Sequence, residues 1–513
     1  MPAAQDPPVP PGVIVIGAGF CGVAVVARLA AQCPPGTHLT VLEQGPRWGR
    51  GLAYGTRSSS HWLNVPAGRL GLDPDHEAGF HDWLQQVHPG HAANAFVPRM
   101  WLGDYLCASL QAATELAQQR GLTVTHEMAT AVDWLPAAAG QAAAVTLSDG
   151  RVLQARAVVL ATGHLPPSPP ALPRPAPGPD AVANEVAEDV PPLTWGAPGL
   201  MANPSQLEWL DGLDEDAEVL VLGSGLTAID MVTMLQDQGH QGRITLLSRR
   251  GLLPQPHRSL EARPRPGLSP VAELGDESRL RHMLRAVRRW MSEAAADQRD
   301  WRDVMASLRG CTPSLWQRLS LRDRRQFLRH LQPWWDTHRH RLAPGIHRRL
   351  QGAMAAGQVA LQAGRLLSVD RSADGALSVR WQRRGGPVVE ARVALLVNCT
   401  GATTGLSRAS TGLLARLRQQ GVLTPDALDL GVLVDEQHRP LDTAGHGRAG
   451  LYYVGPMLKA QRWEAVAVPE LRRHARQVAD AVAVFMAELE ADTSADGATA
   501  SPAEALSGPA CAR

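Results

Sequence analysis

The sequence predicts an α/β fold of two units, each a parallel sheet wound with helices, with a helical insertion in the second. Three observations carry this expectation. VIVIGAGFCG (Val13–Gly22) and VLVLGSGLTA (Val219–Ala228) each run from an apolar strand through a glycine-rich turn into a helical pattern. Strand, turn and helix then alternate along most of the chain, the pattern of parallel sheets with crossover helices. Residues 260–345 break that alternation, being rich in Arg and Trp, poor in strand signals and helical in stretches such as LRHMLRAVRRWMSEAAADQRDW. Both glycine turns follow G-x-G-x-x-G/A, so both units are expected to be Rossmann-like, dinucleotide-binding domains.

The chain has 513 residues, enough for two or three domains. Residues 1–12 are Pro- and Ala-rich and are expected to be disordered. The first unit is expected to span 13–164 and to resume at 395–488. In its turn Gly17 permits the tight bend, Gly19 lets a pyrophosphate approach the backbone, and Gly22 lets helix and strand pack closely. Phe20 and Cys21 open the helix whose positive end would hold the phosphates. Cys21 reads as a small helix-start residue. The next strand, LTVLEQG, ends at Glu43 and Gln44, about twenty residues on, where a carboxylate accepts hydrogen bonds from a ribose diol. ATG, with Thr162 and Gly163, and a matching CTG at Cys399–Gly401 each end an apolar strand. Small residues there let a cofactor or a crossing chain pass closely, and this punctuation favours FAD at the first turn.

Residues 165–193 form a Pro-rich linker, and the second unit is expected at 194–394, carrying the insertion at about 260–345. Its turn holds Gly223, Gly225 and Ala228, with Leu226 and Thr227 opening the helix. The following strand, RITLLSRRG, ends in Ser248, Arg249 and Arg250 where an NADH site would carry an acid. A carboxylate repels a 2′-phosphate and a guanidinium pairs with it, so NADPH is expected over NADH; the alternative is that both arginines are solvated surface charge. From residue 489 onward the sequence is small, polar and aperiodic, and a disordered tail is expected to 513.

The composition excludes several classes. Fifty basic and 49 acidic residues leave a net charge of +1, which offers no reason to expect nucleic acid or an anionic membrane. No apolar run reaches membrane-spanning length and the N-terminus lacks a secretory pattern, so a cytoplasmic setting is expected. The six cysteines form no CxxC and keep no zinc-like spacing with histidines, which argues against a disulfide reductase and against a metal site. His338 and His340 are two apart and do not share a helix face. The Trp334–Trp335 region is expected to bury its tryptophans and cover the active site.

GAGFCG, GLAYGT (Gly51–Thr56), HWLNVPAGRLG (His61–Gly71) and FVPRMWLGDYL (Phe96–Leu106) resemble a bacterial FAD/NAD(P)-binding family that includes an FAD-dependent urate hydroxylase and an aspartate N-monooxygenase. SRRGLLPQPHR, FLRHLQPWWDTHRHRLAP and GPMLKAQRWEAVAVPELR extend the resemblance over about residues 12–485. It implies a monooxygenase using FAD, NAD(P)H, O₂ and a small-molecule substrate. Hydroxylation of urate to 5-hydroxyisourate is the first expectation. N-hydroxylation of an amino acid such as aspartate and a non-oxygenating flavoprotein are the alternatives. The F-x-G-x-x-x-H-x-x-x-W signature of flavin-containing and Baeyer–Villiger monooxygenases is absent.

Three residues are catalytic candidates. Asn64 would lie near the flavin, or cap a turn. His164 would relay protons at a strand end, or simply close the strand. His257, with Arg258, would reach a nucleotide phosphate or an anionic substrate, or be exposed loop charge. Gly455 and Trp463 are expected beside the flavin, with Trp463 and Glu464 beginning the last helix; a packing role for Trp463 is the alternative.

Overall fold

The computed structural model describes residues 12–499 apart from 47, 138–141, 174–192, 206–209, 211, 260–272 and 373. The first unit opens with β1 (Gly12–Ile16), β2 (His38–Glu43) and β3 (Thr123–Met128). A small antiparallel sheet follows, β4 (Ala131–Leu135), β5 (Ala143–Leu147) and β6 (Val152–Ala155), and then β7 (Ala157–Leu160). The second unit holds β8 (Leu200–Met201), β9 (Val219–Leu222), β10 (Ile244–Ser248), β11 (Val359–Arg371), β12 (Leu377–Arg383), β13 (Val388–Val393) and β14 (Leu395–Asn398). Finally β15 (Leu451–Tyr453) returns to the first unit. Among the described residues the orders are β15-β7-β1-β2-β3, all parallel, and β13-β12-β11-β10-β9-β14-β8.

Period-two patterning assigns each sheet its two cores. Val13, Val15, Ala157 and Val159 face the helices Phe20–Gln32, Arg99–Gln119 and Val468–Thr499. Ile14, Ile16, Val158 and Leu160 face the small antiparallel sheet and the helix Gly412–Gln419. In the second unit Val219 and Val221 face the helices Leu226–Asp237 and Pro344–Ala355, while Leu220 and Leu222 face Leu377, Val379 and Trp381. Strands buried on both faces read as continuous apolar runs, which is why both glycine turns were visible as strand ends.

The α/β class with two Rossmann-like sheets is what the structure has, with four differences. The second sheet is mixed, because β11, β12 and β13 pair antiparallel. Residues 395–398, expected in the first unit, pair with β9 and β8 and belong to the second. An apolar LLVN run fits either sheet, and only its pairing decides. Gly12, expected to be disordered, pairs with His38 at the start of β1. The last helix runs to Thr499 instead of ending at 488, since small residues such as Ala continue a helix without an apolar stripe. The expected disorder of residues 1–11 and 500–513, and most of the linker, lie outside the described residues. Its described start crosses between the units: Leu165 bridges Thr403 and Pro173 O accepts Val369 N at 3.0 Å.

The insertion contributes the helices Leu280–Ala296, Trp301–Leu308, Thr312–Arg318, Leu321–Gln326 and Gln332–Arg339, the last two joined by a wide i→i+5 turn at Phe327–Leu331. Its core gathers Met283, Trp290, Met305, Leu308 and Trp316, and takes Trp463 from the other unit; Trp335 packs against it, whereas Trp334, expected to be buried, lies on a different face of the helix and is exposed.

Candidate functional site

The two glycine turns repeat one geometry. Gly17 has φ +105° and Gly223 φ +120°, values that an L side chain rarely adopts. A Cβ on Gly17 would clash with Ala161 O and lie 3.5 Å from Thr162 N; one on Gly223 would clash with Cys399 O and lie 3.4 Å from Thr400 N. Gly19 and Gly225 are both extended N-caps with no side-chain cap, so the first N–H groups of each helix await a partner. An anion is a partner that suits such helix N-termini.

At the first turn Glu43 ends β2 and its carboxylate accepts Ala18 N and Gln44 N, both at 2.9 Å. The acid is thus held against the turn. Among the described residues the Thr162 hydroxyl is buried beside Gly17 without a protein partner, and Gly163 (φ +71°) has open space where a Cβ would project. An orphaned hydroxyl, an uncapped helix and an acid at the strand end form a donor and acceptor set that suits a dinucleotide. Phe20 and Cys21 are buried in the helix, and burial pushes the Cys21 thiol up to about 12, so it is a packing residue.

At the second turn Gly225 faces open space and Thr227 is exposed, whereas Leu226 is half-buried. Ser248 Oγ pairs with Ser224 Oγ at 2.8 Å and accepts Gly251 N at 3.1 Å, so its hydroxyl braces the turn. Arg249 is exposed and lines a cavity of about 520 Å³ with Arg365, Arg383 and Arg384, over Gly364, Gly385 and Gly386. Those three arginines come from β11 and the β12–β13 hairpin, whose proximity no local pattern reveals. Arg250 does not join them: its Nη1 donates to His330 O at 2.9 Å and its Nη2 to Arg329 O at 2.6 Å.

The motifs of the first unit join the two units. Trp62 bridges Pro98, and Leu63 N donates to Val97 O at 2.9 Å. From this paired segment Arg99 reaches Asp230 at 2.7 Å and His61 reaches Asp230 O at 3.2 Å, both on the helix of the second turn. Gly51 lies over Gly19, where a Cβ would come within 3.0 Å of the Gly19 Cα. GLAYGT therefore needs its first glycine for close approach to the phosphate loop.

Asn64 and His257 meet, 193 residues apart, through the backbone: His257 Nε2 lies 2.8 Å from Asn64 O. The His257 ring leans on Phe96, and burial, then Arg341, lowers its pKa to about 3, so Nε2–H donates. Among the described residues the Asn64 side-chain amide has no partner, so it is not a turn cap. Arg258 is spent on Asp303 (2.8 Å) and Asp300 (3.4 Å) of the insertion, not on a phosphate.

His164 follows Gly163 at the carboxyl end of β7. Its side chain is exposed, although the protein packed around it, then the Lys459 ammonium, lowers its pKa to about 4. Gly455 (φ +148°) packs on Tyr453, leading into the Pro456–Ala460 turn. Trp463 is buried in the insertion core, 4.6 Å from Trp316 and 5.1 Å from Phe327, with Lys459 Nζ 4.5 Å above its ring. It does not begin the last helix, which starts at Val468. The sequence missed Lys459, whose pKa is lowered by burial, and Asp336, whose pKa is raised by burial. Glu464 is locked to Arg339 (3.2 and 2.5 Å), which docks the helix Gln332–Arg339 beside these charges. Among the described residues no group of three metal-ligating side chains converges, and no helix is long and apolar enough to cross a membrane.

Residues 14–165 match a family model described as FAD-NAD(P)-binding. No curated protein sequence matches the chain. Among solved structures, an ornithine N-hydroxylase from Kutzneria sp. 744, solved with reduced FAD, NADP⁺ and L-ornithine, is similar over 94% of this chain and 100% of its own, at 15% identity and TM-score 0.57. An L-lysine 6-monooxygenase from Pseudomonas syringae is similar over 93% and 99%, at 16% identity and TM-score 0.55. A cadaverine monooxygenase from Erwinia amylovora, bound to FAD, is similar over 92% and 94%, at 14% identity and TM-score 0.55. At such identities the likeness is one of fold.

Proposed function

We propose that the chain is an FAD- and NADPH-dependent monooxygenase that N-hydroxylates the amine of an amino acid. The observation that carries this reading is the pair of glycine turns with matching geometry, one ending near Glu43 and the other near Arg249. FAD would be held by the Gly17–Gly22 turn, Glu43, Thr162 and Gly163. The ribose and pyrophosphate of NADPH would lie on Gly223–Thr227, with the 2′-phosphate among Arg249, Arg365, Arg383 and Arg384. When bound, FAD supplies hydride acceptance and oxygen transfer.

The chain's own residues shape the substrate site. His164 and His257 are uncharged at pH 7, because desolvation disfavours their cations, so neither repels a protonated amine. The Asn64 amide is available to a flavin carbonyl or to substrate. Lys459 and Asp336 bring one cation and one carboxylate to the same region, without an ion pair between them, which suits a ligand bearing both an anionic and a cationic group. The three neighbours with the same fold are named for aliphatic amines. Nothing in these comparisons favours urate, the first expectation from sequence, over its amine alternative.

The test uses the purified FAD-loaded protein with NADPH in air and a panel of L-aspartate, L-ornithine, L-lysine, cadaverine and urate. Products are scored by mass rather than by NADPH loss. An amine that gains one oxygen atom is the expected result. Urate consumption with no hydroxylated amine would overturn the amine reading, and peroxide alone with every compound would overturn the monooxygenase reading.

A further inference from the structure

We propose that Arg250 is a positioning residue that couples nucleotide occupancy of the β10 turn to the setting of the insertion helix Gln332–Arg339. The inference rests on the nucleotide reading above and adds a regulatory consequence to it. Two adjacent arginines diverge at the end of β10. Arg249 points to the basic cavity, while the Arg250 guanidinium forks onto the carbonyls of Arg329 and His330.

One of those carbonyls, that of Arg329, needs an outside donor for a chemical reason. In a regular helix Arg329 O would accept the N–H four residues on, and that residue is Pro333, which has none. The chain widens into the i→i+5 turn Phe327–Leu331, and Arg250 supplies the donor missing at Arg329 O and a second one to His330 O. The fork of a guanidinium serves two carbonyls at once, which an ammonium does not.

The turn that carries Arg250 is braced from the phosphate loop. Ser224 lies between Gly223 and Gly225, and its hydroxyl donates to Leu252 O at 2.6 Å and pairs with Ser248 Oγ at 2.8 Å. Gly251, at φ +61°, is pressed against Ala363 of β11 so closely that a Cβ would come within 3.0 Å of the Ala363 Cβ. A ligand that orders the Gly223–Gly225 loop or Arg249 therefore orders Arg250 as well. On the far side the helix bears Asp336, with His340 capping its end one turn on, and docks through Arg339 on Glu464 and through Trp335 on Phe327, which in turn packs on Trp463. A contiguous chain of hydrogen bonds and packed rings thus links the nucleotide loop to the wall beside Lys459. By reciprocity, a substrate that sets this helix tightens nucleotide binding by the same factor.

The experiment is amide hydrogen exchange of peptides covering 321–340 in the FAD-loaded protein, with and without saturating NADP⁺, alongside NADP⁺ affinity by calorimetry. In the unaltered chain NADP⁺ is expected to slow exchange in this segment. R250A should bind NADP⁺ within about threefold of the unaltered chain yet lose that protection. R250K, which keeps the charge without the fork, should recover only part of it. R249A should bind about tenfold more weakly and still show protection at saturation. Protection that persists in R250A, or binding without protection in the unaltered chain, overturns the coupling. Loss of affinity in R250A as large as in R249A also overturns it, because Arg250 would then be a phosphate ligand. Should R250A fail to fold, R250K decides: full protection with that variant overturns the proposal. Absence of NADP⁺ binding by the unaltered chain overturns the nucleotide reading itself, and this inference with it.

Discussion

Arg249 and Arg250 show how little a residue's type says about its partner. Both were expected at a 2′-phosphate, and the structure leaves only Arg249 free for one. Charge-assisted hydrogen bonds contribute roughly 1.5–3 kcal/mol, and three other arginines share the cavity, so the low end applies. Arg249→Ala should raise the KM for NADPH about tenfold and leave that for NADH nearly unchanged. Equal effects on both nucleotides would remove the 2′-phosphate assignment. Trp463 makes the same point: it was expected to begin the last helix beside the flavin or to serve in packing, and the structure places it before that helix, against Trp316 and Phe327. Glu43 was legible because its distance from Gly22 is a property of one βαβ unit.

At the scale of elements, the two strand–turn–helix units look alike in sequence but tolerate change differently. A Cβ on Gly22 would clash with Gly17 O, a backbone atom that cannot swing away, whereas a Cβ on Gly225 meets nothing among the described residues. Gly22→Ala should therefore destabilise the first unit by about 1–3 kcal/mol, as overpacking does, and lower the flavin content of the purified protein. Gly225→Ala should melt at the same temperature as the unaltered chain and bind NADP⁺ more weakly, because only the ligand approaches there. Thermal unfolding of both variants, with flavin absorbance and nucleotide titration, checks the contrast. The wide turn before Pro333 is a second element-level feature, and a proline within a helical pattern marks its place in the sequence. What fills the freed carbonyl is not marked, since Arg250 lies about 80 residues away and reaches it through the fold.

At the scale of the molecule, buried neutral histidines make stability depend on pH. Burial lowers His257 to about 3 and His438 to about 4, and His474 is lowered well below its ordinary value. The unfolded chain binds their protons near pH 6.5 and the folded chain does not, so stability falls as pH drops from about 6.5 toward 4. Each such group contributes a slope of at most about 1.4 kcal/mol per pH unit in that window. The urea midpoint should be lower at pH 5 than at pH 7, and His257→Asn should flatten part of that difference; identical midpoints in the unaltered chain would show that these groups titrate normally. The sequence by itself determined the two Rossmann-like units, their glycine turns, Glu43 and the helical insertion. Those features follow from backbone sterics, side-chain periodicity and spacing within a single supersecondary unit. Tertiary structure alone decided that LLVN joins the second sheet, that Arg99 and His61 bind Asp230 across the units, and that Arg365, Arg383 and Arg384 gather beside Arg249. It also decided that Asn64 meets His257 and that Trp316 packs on Trp463. In each of these cases the partners are distant in sequence or belong to different elements, and only the packing of apolar faces brings them together.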